Sequence, residues 1–178
     1  MSGNDDLKAL IRTIPDFPTQ GIAFRDITTL LLDAEGFAKS IDRLAALASG
    51  DIDLVAAIEA RGFVFGAAVA KALGVGLVLV RKPGKLPGGK RSVDYALEYG
   101  SDSLEMHDDA IRGDQNVLLI DDLIATGGTA CAALGMLREA GARVTQALFV
   151  VNLPDLGGAE RLEAEGIMVG SLVEFEGE

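Results

Sequence analysis

The segment from Val117 to Thr129, reading VLLIDDLIATGGT, restricts the fold of this 178-residue chain more than any other stretch. Val117 to Ile120 is an apolar run with the length and β-branched character of a buried parallel strand, and it stops at two adjacent carboxylates, Asp121 and Asp122. Acidic residues so placed stand at the mouth of a strand. The turn that follows, Ala125, Thr126, Gly127, Gly128 and Thr129, is small and hydroxylated and opens a helical stretch that runs to Ala140 before Gly141 stops it. Glycine-exposed amides, the positive end of the new helix and two threonine hydroxyls can together surround a phosphate monoester. The acidic pair repels a second phosphate but suits vicinal hydroxyls, and a ribose 5′-phosphate carries both groups. A lone Gly-Gly is more often just a tight connection beside solvated aspartates. Here a strand, a double Asp and a Thr-Gly-Gly-Thr helix start coincide. No Gly-x-Gly-x-x-Gly follows a strand and no lysine follows the glycines, so neither a dinucleotide fingerprint nor a Walker loop is present.

Around this segment strand and helix signals alternate, which predicts parallel βαβ units. Phe37, Ile41, Leu44 and Leu47 keep helical spacing after Asp33, and Ser49-Gly50 ends that helix. A strand from Leu54 to Ile58, a helix from about Phe63 to Leu73 closed by Gly74, and a strand from Gly76 to Val80 follow. Beyond the motif helix come a strand near Val144 to Val151, a short helix around Gly158 to Glu165 and a last strand from Met168 to Val173. The expected fold class is α/β, one domain over residues 1–178 with an open parallel sheet of about five strands and helices on both faces. Two segments break the alternation. Ile14 to Thr29, with Pro15 and Pro18, reads as an irregular N-terminal hood within about residues 1–30. Lys82 to about Asp109 holds Pro83, Gly84, Pro87, Gly88 and Gly89 before two strand-like pieces, Ser92 to Glu98 and Asp102 to Met106. That segment reads as a flexible hairpin arm.

The chain length suits one α/β domain with one active site. Apolar residues make up 49% of it, yet the longest apolar stretches are strand-length or carry charges, so no bilayer span is expected. The polar, acidic start from Met1 to Asp6 is the opposite of a secretory or transit signal, and the single Cys131 makes no internal disulfide. The expected setting is cytoplasmic. A net charge of −11 argues against a nucleic-acid surface. Ala60 to Val93 nevertheless contains no acidic residue while holding Arg61, Lys71, Arg81, Lys82, Lys85, Lys90 and Arg91, a local receptor for a small polyanion. His107 reads as a surface residue and Cys131, among alanines, as a small packing residue.

The phosphate motif resembles the phosphoribosyl diphosphate site of the type I phosphoribosyltransferases. IPDFP from Ile14, GIAFRD from Gly21, EARGF from Glu59, RKPGKLP from Arg81 and LEYG from Leu97 extend the match in chain order. Over nearly its whole length the sequence is similar to the adenine phosphoribosyltransferases. The resemblance implies a purine salvage enzyme, a homodimer, that makes AMP and diphosphate from adenine and phosphoribosyl diphosphate. It implies Mg²⁺ brought with the diphosphate substrate, held largely by that substrate's oxygens and water. It assigns Asp121 and Asp122 to the ribose, Ala125, Thr126, Gly127, Gly128 and Thr129 to the 5′-phosphate, and Arg61, Arg81 and Lys85, with Lys82 beside them, to the diphosphate. Backbone groups of Phe24 and Arg25 would read the amino edge of the base, between Ala23 and Leu123. Glu98 and Tyr99 of the arm, together with Arg61, become the catalytic candidates, and an unusual peptide bond is implied between Glu59 and Ala60. Gly88-Gly89-Lys90-Arg91 departs from the loop sequences associated with the family.

Without the resemblance several of these residues have plainer readings. Arg25-Asp26 is an exposed ion pair in a loop, Glu98 and Tyr99 are ordinary hairpin residues, and Glu59 is either a buried partner for Arg61 or a strand-end carboxylate. Arg61 and Arg81 still converge on the rim where open α/β sheets bind ligands. Ribosyl transfer from a diphosphate passes through cation-like character at the anomeric carbon, so a site must stabilise the leaving group, hold the base and exclude water. A closing arm would bring a carboxylate or phenol near the reaction. The rival expectations are the same transfer to another purine base, and a regulatory module that only senses phosphoribosyl diphosphate.

Overall fold

A computed structural model of the chain describes residues 3–96 and 101–177. The elements in chain order are α1 (Asp5–Lys8), β1 (Arg12–Ile14), β2 (Phe24–Asp26), α2 (Thr28–Leu32), α3 (Ala34–Leu47), β3 (Leu54–Ile58), α4 (Gly62–Leu73), β4 (Gly76–Val80), β5 (Lys90–Ala96), β6 (Ser101–His107), β7 (Asn116–Ile124), α5 (Gly128–Glu139), β8 (Arg143–Asn152), a 3-10 turn (Pro154–Leu156), α6 (Gly158–Ala164) and β9 (Met168–Glu174).

β7 shows why the sheet lies between two layers. Val117 and Leu119 enter one apolar cluster, with α5, Leu162 of α6 and Phe149, while Leu118 and Ile120 enter another, with Phe65 and Val69 of α4 and Leu44 of α3. A strand apolar on both faces can only be central, and each of its fully buried Leu or Ile side chains contributes about 1.5–3 kcal/mol. The five strands run in the order β4-β3-β7-β8-β9, all neighbouring pairs parallel. The fold class expected from the sequence is the one observed. The chain leaves β3 for β4 on one side and β7 for β8 and β9 on the other, so the direction of winding reverses between β3 and β7. In sheets of this kind ligands sit outside the carboxyl ends at that reversal.

Helix ends follow the local chemistry. Asp33 caps α3, its side chain accepting from the Gly36 amide at 2.7 Å, and Gly74 ends α4 in the left-handed conformation, φ 71°. Cys131 packs against the α5 side of the core, and burial raises its pKa, as a packing thiol requires. Among the described residues no helix is long and apolar enough to cross a membrane.

Both irregular segments hold more order than their proline and glycine content suggests. Within the hood, β1 and β2 pair antiparallel from Arg12↔Asp26 to Ile14↔Phe24; three-residue strands are too short to show a period-2 signal. Arg25 and Asp26 are not an exposed ion pair: Asp26 is buried and bound by Arg12, by the Thr28 hydroxyl at 2.7 Å and by the Thr28 amide at 3.0 Å. In the arm, β5 and β6 pair antiparallel from Lys90↔His107 to Ala96↔Ser101. Its base belongs to the core, because Leu104 and Met106 are fully buried and the backbones of Arg81 and Glu105 exchange hydrogen bonds of 2.8 and 2.7 Å. His107 is partly exposed there, its Nδ1 3.3 Å from the Gly89 carbonyl oxygen. The arm tip, with the candidate residues Glu98 and Tyr99, lies outside the described residues.

Asp26 carries a pH prediction. The Thr28 hydroxyl and then Arg12 pull its pKa from 3.8 to about 2. A carboxylate lowered in the folded state adds stability that is present above its unfolded value and lost as pH falls through the folded one. Asp26→Asn is therefore expected to lower stability at neutral pH and to flatten the decline between about pH 4 and pH 2. Urea titrations at stepped pH check this, and parallel acid limbs in both proteins would contradict it.

Candidate active site

The winding reversal is where the acidic pair emerges. The β3 ladder ends at Ala57↔Ile120, but β7 continues against β8 through Asp121↔Phe149 to Ile124↔Asn152. Asp121 and Asp122 are thus inside the strand rather than beyond its end, at the level where one neighbour has stopped. Alternation sends their side chains to opposite sides of the strand. The Asp122 amide donates to Asp121 Oδ1 at 2.8 Å. Gly62, the first residue of α4, lies against Asp121, and a Cβ there would stand 2.5 Å from Asp121 Oδ1.

Asp122 is buried, and Arg61, the cap residue of α4, brings its Nε within 2.9 Å of Asp122 Oδ2. The contact is a charge pairing outside hydrogen-bond geometry, so that buried oxygen takes no hydrogen bond among the described residues. Burial pushes the Asp121 pKa well above the usual carboxylate range, and the charge of Asp122 adds to the effect. Burial raises Asp122 too, with Arg61 opposing it. Two crowded carboxyls with unused acceptor capacity are well suited to receive hydroxyl donors.

On the β8 side, Asp121, Leu123, Ile124 and the turn 125–130 line a pocket of about 170 Å³. Gly127 takes φ 78°, a left-handed conformation open to glycine, and no side chain caps α5. The first intrahelical bond there comes from the Cys131 amide to the Gly127 carbonyl at 2.8 Å. The amides before it precede the intrahelical ladder and can bind an anion, with the helix dipole behind them. The structure thus brings Ala125, Thr126, Gly127, Gly128, Thr129 and Leu123 around one cavity beside the acidic pair.

On the β4 side stand the cations. Arg81 Nε donates to Glu59 Oε2 at 3.2 Å, its Nη1 donates to the Lys85 carbonyl at 3.0 Å, and the Lys82 amide donates to the same Glu59 oxygen at 2.9 Å. Glu59 is therefore neither a partner for Arg61 nor a free strand-end carboxylate; it organises Arg81 and the start of the arm. Burial works against its charge, but the Lys82 amide and Arg81 outweigh it and the pKa is lowered. Lys85 is exposed. The Glu59–Ala60 peptide bond is cis.

Lys82 is already engaged. Its ammonium pairs with Asp102 and donates to the Tyr95 hydroxyl at 3.0 Å, which lies 3.1 Å from Thr129 Oγ1. The arm is thereby tied to the phosphate turn. Sequence reasoning missed Tyr95 and Asp102 because nothing in a hairpin pattern says which outward residue meets a helix start 34 positions away. In the hood, the Arg61 guanidinium lies 5.3 Å from the Phe24 ring centroid, and Phe24 packs edge-on against Phe17. Phe24 thus reaches the site through Arg61, whereas Ala23 and Arg25 do not line the phosphate pocket.

The site runs in one line: phosphate turn, acidic pair, then Arg61, Glu59 and Arg81. That order matches a phosphate, a diol and a second, larger anion, and it defines a phosphoribosyl-binding α/β protein. The family model described as phosphoribosyl transferase domain matches residues 26–165, and the chain belongs to that family. Within it the chain groups with the adenine phosphoribosyltransferases. It is 59% identical over 175 residues to the adenine phosphoribosyltransferase of Novosphingobium aromaticivorans, covering 97% of this chain and 98% of that one. The crystal structure of the adenine phosphoribosyltransferase of Thermoanaerobacter pseudethanolicus superposes with a TM-score of 0.91 at 49% identity, covering 96% of this chain and 99% of the other. The Saccharomyces cerevisiae enzyme, complexed with an imino-altritol bisphosphate and adenine, gives 0.88 at 39% identity, covering 96% and 98%.

Proposed function

We propose that this chain transfers the 5-phosphoribosyl group of phosphoribosyl diphosphate to adenine, producing AMP and diphosphate for purine salvage. The observation that carries this is the line of phosphate turn, acidic pair and cationic strand ends across the winding reversal. The base assignment is supported by the names of the relatives and by the adenine bound to the yeast enzyme.

In this reading the turn 125–129 holds the 5′-phosphate, and Asp121 and Asp122 accept hydrogen bonds from the ribose hydroxyls. Their negative charge also favours cation-like character at the anomeric carbon. The anomeric carbon–oxygen bond breaks with its electron pair leaving on the diphosphate, beside Arg61, Arg81 and Lys85. Lys82 joins them once it leaves Asp102. A ring nitrogen of adenine forms the new bond and the base loses a proton, with Glu98 or Tyr99 of the arm as acceptor or electrostatic partner. Phe24 and Arg25 present the backbone that reads the base, between Ala23 and Leu123.

When bound, Mg²⁺ would come with the diphosphate, held by that substrate's oxygens and water, and would offset part of its charge. Among the described residues no group of three His, Cys, Asp or Glu could hold a metal ion. The reading includes a homodimer and a cytoplasmic setting. Half-exposed Leu77 and Leu79 on the edge strand β4 offer apolar surface for a second copy.

The test is diphosphate release from purified protein given phosphoribosyl diphosphate and Mg²⁺, with adenine, hypoxanthine, guanine and xanthine in parallel. Release with adenine alone, abolished by a chelator, is expected. Release with another base would keep the phosphate site and overturn the base assignment. Silence with all four bases, in protein that still binds phosphoribosyl diphosphate, would overturn the enzymatic reading.

A further inference from the structure

We propose that Phe175 is a positioning residue for the base-reading strand of the hood, and that the tail after β9 sets the fit for the base. The inference rests on the reading above, in which the backbone of Phe24 and Arg25 meets adenine. β2 is poorly held by its own ladder, since it pairs with β1 over only three positions, and a two-stranded ribbon is marginal by itself.

Arg25 is fixed by its ladder partner Thr13 and, from outside the ribbon, by the tail after β9. Its guanidinium lies 4.6 Å from the Phe175 ring centroid, its Nη2 donates to the Glu176 carbonyl at 3.1 Å, and its Nη1 donates to Thr13 Oγ1 at 2.7 Å. Among the described residues its Nε is buried with no hydrogen-bond partner, and Arg25 makes no ion pair. The ring and the tail carbonyl therefore take the place that a carboxylate usually occupies. Lys8 of α1 shares the ring, its Nζ 4.9 Å from the centroid.

The tail is itself fastened, so it can act as a fixed post. The Phe175 amide donates to the Asn152 carbonyl at 3.1 Å, and the Gly177 amide donates to Asp155 Oδ2 at 2.6 Å. Asn152 ends β8 and pairs with Ile124, the last strand residue before the phosphate turn. Hood and turn are thus referenced to the same strand end, one through the tail and one directly. A shift of the ring would move the base-reading backbone relative to the ribose while leaving the phosphate turn in place.

The experiment compares Phe175→Leu, which keeps an apolar side chain but removes the ring, with Phe175→Tyr, which keeps the ring. With Phe175→Leu the KM for adenine is expected to rise about five-fold, the size of one lost cation–ring contact, while the KM for phosphoribosyl diphosphate stays within about two-fold. Phe175→Tyr should restore the adenine KM. Arg25→Leu, which removes the cation and keeps the strand backbone, should reproduce the same split if Phe175→Leu does not fold. Equal values for the Leu and Tyr variants, or parallel rises in both KM values, would overturn the inference. Wild-type protein run alongside separates the two claims: if it ignores adenine the functional reading falls and takes the inference with it, and if it uses adenine while the variants are unshifted the inference alone falls.

Discussion

Replacing Asp121 and Asp122 together by Asn is expected to cut turnover on the order of 10³-fold, as two hydrogen bonds to charged acceptors at about 1.5–3 kcal/mol each would give. The fold should survive. Asn matches Asp in shape, so it fits beside Gly62, where the approach is too close for any larger residue at position 62. Its side-chain oxygen can still accept from the residue 122 amide, as Asp121 does at 2.8 Å. Arg61 loses its counter-charge, but 39% of its side chain is exposed and water can solvate it.

The charges themselves oppose folding at neutral pH. Asp121 has a folded-state pKa well above its ordinary 3.8. A group raised in this way contributes stability below its unfolded value that is lost as pH rises through the folded one. Removing the carboxylates should therefore leave the melting temperature at pH 7 unchanged or higher, and should reduce the loss of stability on raising pH above about 4. Steady-state kinetics beside thermal melts at several pH values check both parts. Full turnover in the double variant would remove the pair from the ribose site, and a collapse in melting temperature would show that the pair is structural.

Gly158→Ala is expected to weaken use of the phosphoribosyl donor about 10²-fold in kcat/KM, the size of effect that a displacement of about 1 Å can produce. Gly158 opens α6 directly behind the phosphate turn. A Cβ there would stand 2.7 Å from the Gly127 amide nitrogen and closer still to the Ala125 carbonyl oxygen. Neither atom is the end of a flexible side chain. The contact is reciprocal, since a Cβ on Gly127 would stand 2.9 Å from the Gly158 carbonyl oxygen. Two glycines pressed backbone to backbone leave no room for a methyl group, so either the turn or α6 must move. The turn ends a loop, whereas α6 is anchored by Leu162, which is fully buried. The rise should therefore fall on the KM for phosphoribosyl diphosphate, with the adenine KM little changed. An unaltered donor KM in folded Gly158→Ala would mean that α6 yields instead, and Gly158 would have no part in the site.

The parallel strands and the three long helices were legible because their signals are local: apolar runs of strand length, helical spacing after Asp33, glycine at the end of α4. The strand, turn and helix start from Val117 to Thr129 were legible for the same reason, since they lie within 13 consecutive residues. Its chemistry needs backbone amides and a dipole, which the chain direction supplies once the strand and helix are known. The hood ribbon is not visible in the sequence because β1 and β2 are three residues each and their pairing rests on Asp26 binding to Arg12 and Thr28. Prolines and glycines mark the arm as flexible, yet burial of Leu104 and Met106 puts its base into the core.

Sequence by itself determined the fold class, the order of the five sheet strands and the long helices, and the placing of the glycine-rich turn beside the acidic pair, all set by short-range periodicity and turn chemistry. Tertiary structure alone decided the pairings: Arg61 with Asp122, Arg81 with Glu59, Lys82 with Asp102, Tyr95 with Thr129, Gly127 against Gly158, and Arg25 on Phe175. The physical reason is that a charge or a glycine has many acceptable partners in a sequence. Which one it meets depends on where the sheet register and the crossovers bring distant segments together.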